Sequence, residues 1–282
     1  MNVTHLQTFV TIVDTGSLQR ASVQMNVTQS TVTARLKALE AALGQTLLHR
    51  DKSGASLTPA GARVLSYARM ISGLWRQARR EVSLPKGLDA LCTLAVEPDL
   101  WAGPGAHAAD LLTGTQSGIA LSLLRGSAAE LDRWLSDGVI DLALTHRSTL
   151  RSGQTIHDLP PETLALYATT PEMPIVGSGQ YVFVDYGPEF RQQHGESYFD
   201  AEVARIEFAA PTWALDHLLT KGGLAYLPEN VAEADVSAGR LYELHDAPHY
   251  VRKRFLVSRD SATRRWPWFE TFVQQLSNGP DR

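Results

Sequence analysis

The sequence predicts an α/β chain in three parts: an N-terminal all-α winged helix-turn-helix, a long linker helix and a C-terminal α/β body. Three observations lead there. Residues 1–86 hold 11 Lys/Arg against 4 Asp/Glu, a net of +7, while residues 87–282 hold the remaining 15 against 26, a net of −11. The whole-chain value of −4 therefore conceals a basic head on an acidic body, and such a head points towards a polyanion. Apolar residues in the first 84 positions recur at helical spacing between capping residues. Beyond them, strand-like and helix-like runs alternate. With 282 residues, 44% apolar and 20% charged, two or three domains are expected, each able to bury its own core.

Composition excludes several classes. Cys92 is the only cysteine, so no disulfide framework or Cys-based zinc site is expected, and a reducing compartment fits. No apolar run approaches the roughly 18 residues of a membrane span. Met1-Asn2-Val3-Thr4-His5 lacks the basic start and apolar stretch of a signal peptide. The expectation is a cytoplasmic protein with no membrane partner.

In the head, Leu6, Phe9, Val10 and Val13 mark a first helix that Gly16 stops. Ser17 caps a second, with Leu18, Ala21 and Met25 on its apolar face. Asn26 suits the left-handed turn that follows. Thr28 then caps a third, with Val32, Leu36, Leu39 and Leu43 facing inward and Gly44 closing it. Two short helices meeting through a tight turn at small Ala21 read as a helix-turn-helix. The exposed face of the third carries Gln29, Ser30, Thr31 and Thr33, then Arg35 and Lys37, and Thr28 stands at its tip. The first turns of a recognition helix reach base edges in the major groove of double-stranded DNA, where Gln pairs with adenine and Thr methyls meet thymine methyls. Arg35 and Lys37 are placed for phosphates, which position without reading sequence. Gln19 on the second helix is counted with this set. Leu47–Arg50 and Ala55–Leu57 around Asp51-Lys52-Ser53-Gly54 read as a hairpin wing, with Arg50 directed to the backbone or minor groove. His49 reads as structural or solvated.

Ser17-Leu18-Gln19-Arg20-Ala21-Ser22, Val27–Thr33, Leu39-Glu40, Leu43-Gly44, Leu47–Arg50 and Leu57-Thr58-Pro59-Ala60-Gly61 together resemble the N-terminal signature of the LysR-type transcriptional regulators, ungapped over about 60 residues. Two departures stand out. Many members open the recognition helix with Ser-Gln-Pro where this chain has Thr28-Gln29-Ser30, and a frequent Arg is Ala34 here, with Arg35 beside it. Base preference is expected to differ accordingly.

Thr58 and Pro59 start the linker helix. Val64, Ala68, Ile71, Trp75, Ala78 and Val82 follow at alternating steps of four and three, a heptad seam flanked by arginines, until Ser83–Gly87 ends it. The seam is read as a dimerisation face, the alternative being an amphipathic helix lying on its own domain. The resemblance implies an antiparallel dimer, in a homodimer or homotetramer, and two-fold symmetry predicts a pseudo-palindromic DNA site.

In the body, Leu91–Val96, Ile119–Leu124, 138–144, Tyr181–Val184, Ile206–Ala209 and Leu224–Leu227 read as strands, in mostly parallel sheets. Ser127–Asp137, with a capping box from Ser127 to Glu130, Pro188–Ser197, Thr212–Lys221 and Trp266–Leu276 read as helices. The phrases Ser127–Leu144 and Gly223–Pro228 resemble the LysR effector-binding domain, although the usual Gly-x-Gly is Gly222-Gly223 here. That resemblance implies a periplasmic-binding-protein-like domain, two α/β lobes joined by two crossing strands around a small-molecule cleft. The boundaries are then 1–58 for the head, 59–86 for linker and hinge, and 87–282 for the effector domain, with lobe I about 88–160 and 255–282 and lobe II about 161–254.

Ligands in open α/β sheets sit beyond the carboxyl ends of strands. The candidates are Pro98 to Trp101; Arg125, Gly126 and Ser127; Thr145, His146 and Arg147; Asp185 and Tyr186; and Thr212 with Trp213 at a helix start. Each has a plain structural alternative: Ser127 as a cap, Trp101 as core, Asp185 as a charge that repels acids. The nine His residues are read as lacking metal spacing, no nucleophile elbow, P-loop or dinucleotide motif is found, and Cys92 inside a strand reads as an inert thiol. No catalytic set, metal or cofactor is expected. The function expected is a sequence-specific DNA-binding regulator sensing a small molecule. A ligand-independent DNA binder with a vestigial cleft, and a solute-binding protein or enzyme of the same architecture, are the alternatives.

Overall fold

Each helix of the head begins and ends at its capping residues. The computed structural model describes residues 2–51, 54–84, 86–88, 90–114, 118–174, 179–198 and 204–279. Helix α1 (Val3–Thr15) ends at Gly16, α2 (Leu18–Gln24) starts from Ser17, and α3 (Gln29–Leu43) runs from Thr28 to Gly44. Asn26 takes the left-handed conformation at φ 52° in the turn between α2 and α3. Strands β1 (Leu48–Asp51) and β2 (Gly54–Leu57) pair antiparallel as the wing, and Ala55 N–H donates to the Gly16 carbonyl at 2.9 Å, fixing the wing to the end of α1. Lys52 and Ser53 of the expected turn, and the Arg50 side chain, lie outside what is described. Leu6, Phe9, Ile12, Ala21, Val32, Leu36 and Leu39 form the head's core.

Helix α4 (Pro59–Val82) is continuous, with Thr58 Oγ1 accepting from Gly61 N–H at 2.9 Å. Its heptad seam divides. Ala68 is 0% exposed inside the head's core, and Val64 and Ile71 pack against that core. Those three members of the expected dimer seam are therefore spent on the chain's own head. The alternative of an amphipathic helix lying on its own domain describes the first half of α4. The apolar side chains left open are Tyr67 (66% exposed), Met70, Leu74, Trp75 and Val82 (88% exposed), with Ala78 also exposed.

The body contains β3 (Ala90–Val96), α5 (Ala106–Gly114), β4 (Ile119–Arg125), α6 (Ala128–Ser136) and β5 (Leu142–Thr145), then β6 (Gln154–Ala168), β7 (Val182–Val184), α7 (Pro188–Ser197) and β8 (Ile206–Phe208). These are followed by α8 (Pro211–Lys221), β9 (Leu224–Pro228), α9 (Glu229–Ser237), β10 (Tyr242–Glu243), β11 (Tyr250–Arg259), α10 (Asp260–Thr263) and α11 (Phe269–Asn278). Among the named strands, parallel pairing joins β3 to β4 and β5, and β7 to β8, with one isolated parallel bridge between Tyr181 and Leu224. The remaining pairs are antiparallel, which corrects the expectation of mostly parallel sheets. The reason is β6 and β11, two long strands that pair with each other, with β5 at one end and with β9 and β10 at the other. Pro160 and Pro161 lie inside β6, where they bring no ladder N–H. The register shifts opposite them between Arg252 and Arg254, and the Arg254 guanidinium donates to the carbonyls of Pro160 (2.6 Å) and Pro161 (3.3 Å).

Apolar cores lie on either side of these crossing strands. One packs α5 and α11 on β3, β5 and β11; a smaller one holds Leu131 and Leu135 of α6 against Ala95, Ile140, Ala143 and Val257; another fills the second lobe around Tyr226 and Phe190. Cys92 is buried on β3 and burial pushes its thiol up, which makes it inert.

Candidate nucleic-acid interface and inter-lobe site

At the tip of α3, Thr28 Oγ1 accepts from Thr31 N–H (3.2 Å) and exchanges hydrogen bonds with the hydroxyls of Ser30 (2.9 Å) and Thr31 (2.8 Å). A compact hydroxyl cluster thus forms the end of the helix. Gln29 beside it is exposed and Lys37 is exposed further along the same helix; Arg35 and Thr33 are half-buried. The Thr33 hydroxyl donates to the Gln29 carbonyl at 2.9 Å, which leaves its methyl to face outward. Gln19 is exposed on α2. The helix ending at Gly44 has no Asp or Glu in its first turn, so nothing opposes its positive dipole end there.

In the body, the expected strand-end residues separate into two groups. His146 and Tyr186 line a cavity of about 430 Å³ between the lobes, together with Arg147, Ser148, Phe190, Tyr250, Arg252 and Lys253. Thr145 and Arg147 line an adjoining cavity of about 210 Å³ under α6. The others stand elsewhere. Ser127 is occupied as a cap: its N–H and hydroxyl both donate to Glu130 Oε2, at 2.9 and 2.8 Å. Asp185 is tied to Arg191 Nε (3.0 Å) and Gly187 N–H (2.8 Å), and the Arg191 hydrogen bond holds its carboxyl below the usual range. Pro98, Trp101, Arg125 and Thr212 are exposed and line neither cavity.

Five charged or titratable groups that meet in this region come from distant points of the chain. Arg252 donates to Glu162 at 3.0 Å and stands 3.5 Å from Asp99, with its guanidinium 4.8 Å above the Tyr186 ring. Burial raises the carboxyls of Asp99 and Glu162, against the pull of Arg252. His146 is pushed down to about 3, by burial first and by Arg252 second, so its ring is neutral at pH 7. Its Nδ1 lies 3.0 Å from the Lys253 carbonyl, which only accepts, so Nδ1 carries the proton and Nε2 faces Glu162 at 3.6 Å as a bare acceptor. Arg147 packs against Gly187, where a Cβ would meet its guanidinium, and Asn230 Nδ2 donates to the Ala102 carbonyl. Both contacts close the two lobes onto each other.

Glu162, Arg252 and Lys253 were not anticipated. The signal available was Arg252-Lys253-Arg254, a basic run inside an acidic body. His245 and His249 do stand four apart, against the expectation of no such spacing. Both rings turn to Glu243 Oε1, at 3.1 and 3.0 Å, and among the described residues no group of three His, Cys, Asp or Glu is arranged to hold a metal ion. No helix among the described residues is long and apolar enough to cross a membrane.

Residues 3–62 match the family model described as a bacterial regulatory helix-turn-helix protein of the lysR family. The chain is 27% identical over 263 residues to the HTH-type transcriptional regulator HdfR of Shigella boydii, covering 91% of each chain, and equally to that of Escherichia coli. It is similar in fold to ArgP from Mycobacterium tuberculosis, with a TM-score of 0.66 at 18% identity, covering 97% of this chain and 95% of that one. It is likewise similar to full-length LysG from Corynebacterium glutamicum with bound effector Arg, with a TM-score of 0.61 at 21% identity and 99% of each chain covered.

Proposed function

The chain is a LysR-type transcriptional regulator, and from that premise we propose that it reads a pseudo-palindromic DNA site as a homo-oligomer and senses a small molecule between its lobes. The observation that carries this is α3, which presents Gln29 and the Thr28/Ser30/Thr31 hydroxyls at a helix tip of favourable dipole. Gln29, Thr31 and the Thr33 methyl read bases; Gln19, Thr28, Ser30, Arg35, Lys37 and Arg50 hold the backbone. The division at the crossing strands follows the separate apolar cores of the two lobes, whereas the head's core takes in Val64, Ala68 and Ile71 of the linker helix.

Self-association is assigned to the open stripe of α4: Tyr67, Met70, Leu74, Trp75, Ala78 and Val82. A single helix face this apolar is covered in solution by a partner of the same kind. Leu74→Asp should convert the protein to monomer in sedimentation and weaken its grip on a two-half-site duplex. Val64→Ala should instead lower the head's melting temperature and leave the oligomer intact. A Leu74→Asp protein that sediments as wild type would place the interface elsewhere.

The effector is assigned to the cavity lined by Arg147, Ser148, Tyr186, Phe190 and Lys253. Its lining sets Leu164, Phe190, Tyr250 and Phe255 beside Arg147, Arg252, Lys253 and Glu189, a mixed apolar and charged wall that suits a small polar ligand. Binding there would favour one spacing of the lobes, and thereby one geometry on DNA, through a shift of population. Metabolite titrations that leave melting temperature and DNA footprint unchanged would favour a ligand-independent regulator.

A further inference from the structure

Helix α6 runs between two places of consequence. One face of it, from Ala128 and Ala129 in the first turn through Asp132 to Leu135, lines the smaller cavity, whose other wall, Arg147 and Ser148, is shared with the inter-lobe cavity. Leu131 and Leu135 clamp the helix to the sheet, so it moves as a rod of roughly 13 Å. Its far end reaches Asp137 and Gly138, and there the body meets the linker helix.

That meeting is backbone against backbone. A Cβ at Gly73 of α4 would stand under 3.0 Å from the Asp137 carbonyl oxygen, too close for any side chain. Glycine in the interior of a 24-residue helix is otherwise unfavourable relative to alanine, so the close approach accounts for it. One turn earlier, Arg69 donates to Asp14 of α1 at 2.5 Å and stands 3.9 Å from Asp137. A single side chain therefore spans head, linker and body. Burial raises the Asp137 carboxyl despite Arg69. Beside this tight point lies an unfilled space of about 310 Å³, walled by Val10, Ser72, Arg133, Trp134 and Val139 among others. Tight contact at one point with open space next to it permits rotation and resists translation.

We propose that the Gly73–Asp137 contact is a pivot on which the body sets the angle of the linker helix, with α6 as the lever that carries a displacement at its first turn to that pivot. The inference rests on the effector reading only for what displaces the first turn in the cell; the pivot itself does not depend on it. No small molecule is needed to test it. Ala128→Leu, which fills part of the cavity at the far end of α6, is made in the full-length chain with Gly73 intact and with Gly73→Ala. Amide hydrogen exchange is followed over residues 66–76 and 134–141. With Gly73 intact, Ala128→Leu should change exchange over 66–76 by about tenfold or more. In the Gly73→Ala background, where the added methyl parts the two backbones, that change should fall to less than about twofold. Exchange over 66–76 that ignores Ala128→Leu, or responds equally in both backgrounds, would overturn the proposal. Should Gly73→Ala fail to fold, Leu135→Ala, which loosens the far end of α6 from the sheet, supplies the uncoupled background. Failure of the effector reading shows separately, as a ligand titration that moves nothing while this coupling persists.

Discussion

In the head, most of the residues proposed to face DNA lie within one helix and its cap, Thr28 to Lys37. The inter-lobe cavity instead draws its walls from segments around 146, 188 and 252, and His146 finds its partner carbonyl 107 residues away. A recognition helix needs only local order plus an exposed face, and both are written in consecutive residues. A cleft needs groups converging from separate strands, and which groups converge depends on topology. The contrast also appears in electrostatics. The α3 residues proposed to face DNA are exposed or half-buried, while between the lobes burial displaces the equilibria of His146, Glu162 and Asp99.

The sharpest way to break this contrast is to remove the buried cation. Arg252→Ala would strand Glu162 and Asp99 without their counter-charge, and about 3–5 kcal/mol of body stability should be lost in urea unfolding. The head's core, which contains none of these residues, should unfold at its usual urea concentration. A single unfolding transition that shifts as a whole would show that head and body are one cooperative unit.

Acid should produce a smaller effect with a defined window. His146 at about 3 and His194 at about 4 sit below the ordinary value of 6.5, chiefly through burial. The unfolded chain therefore takes up protons before the folded one, and their stabilising contribution, complete above pH 6.5, is lost as pH falls towards 4 and 3. Glu162 and Asp99 are raised, so the folded body takes up their protons first, and the stability they cost at neutral pH is regained as pH falls through their raised values to the ordinary 4.5 and 3.8, in opposition to the histidines. The body should thus weaken as pH falls from 6.5 towards 4, with the histidine loss partly offset by the carboxyls above pH 4.5 and unopposed once they are neutral, as followed by aromatic circular dichroism. His194→Phe, which keeps a ring among Tyr181, Phe190 and Tyr198, should flatten that slope; an unchanged slope would remove His194 from the account.

Much of the fold was legible because its signals are local. Caps at Ser17, Thr28 and Thr58, the left-handed Asn26, and the helix 188–197 stand where composition places them. The two crossing strands were not located, since Pro160-Pro161 reads as a break and the compensation comes from Arg254 on the partner strand. The linker seam divides for a similar reason. A period of 3.5 specifies a stripe, yet the stripe's first half packs on a head that the period does not describe. At the site, His146 and Tyr186 were legible as strand ends, whereas Glu162 and Arg252 enter through the register of β6 and β11, which sets them opposite each other beside the shift before Arg254.

The account's central claim is that the head reads DNA sequence through the first turn of α3, and a salt-titrated pair of variants addresses it most directly. Affinity is measured for a duplex selected by the wild-type protein and for a scrambled one, across a range of salt. Gln29→Ala should cost on the order of 1–3 kcal/mol on the selected duplex and leave the scrambled one nearly unchanged. Arg35→Ala should weaken both alike and reduce the salt slope by about 1. Equal loss on both duplexes for Gln29→Ala would contradict the assignment of base reading to that helix tip.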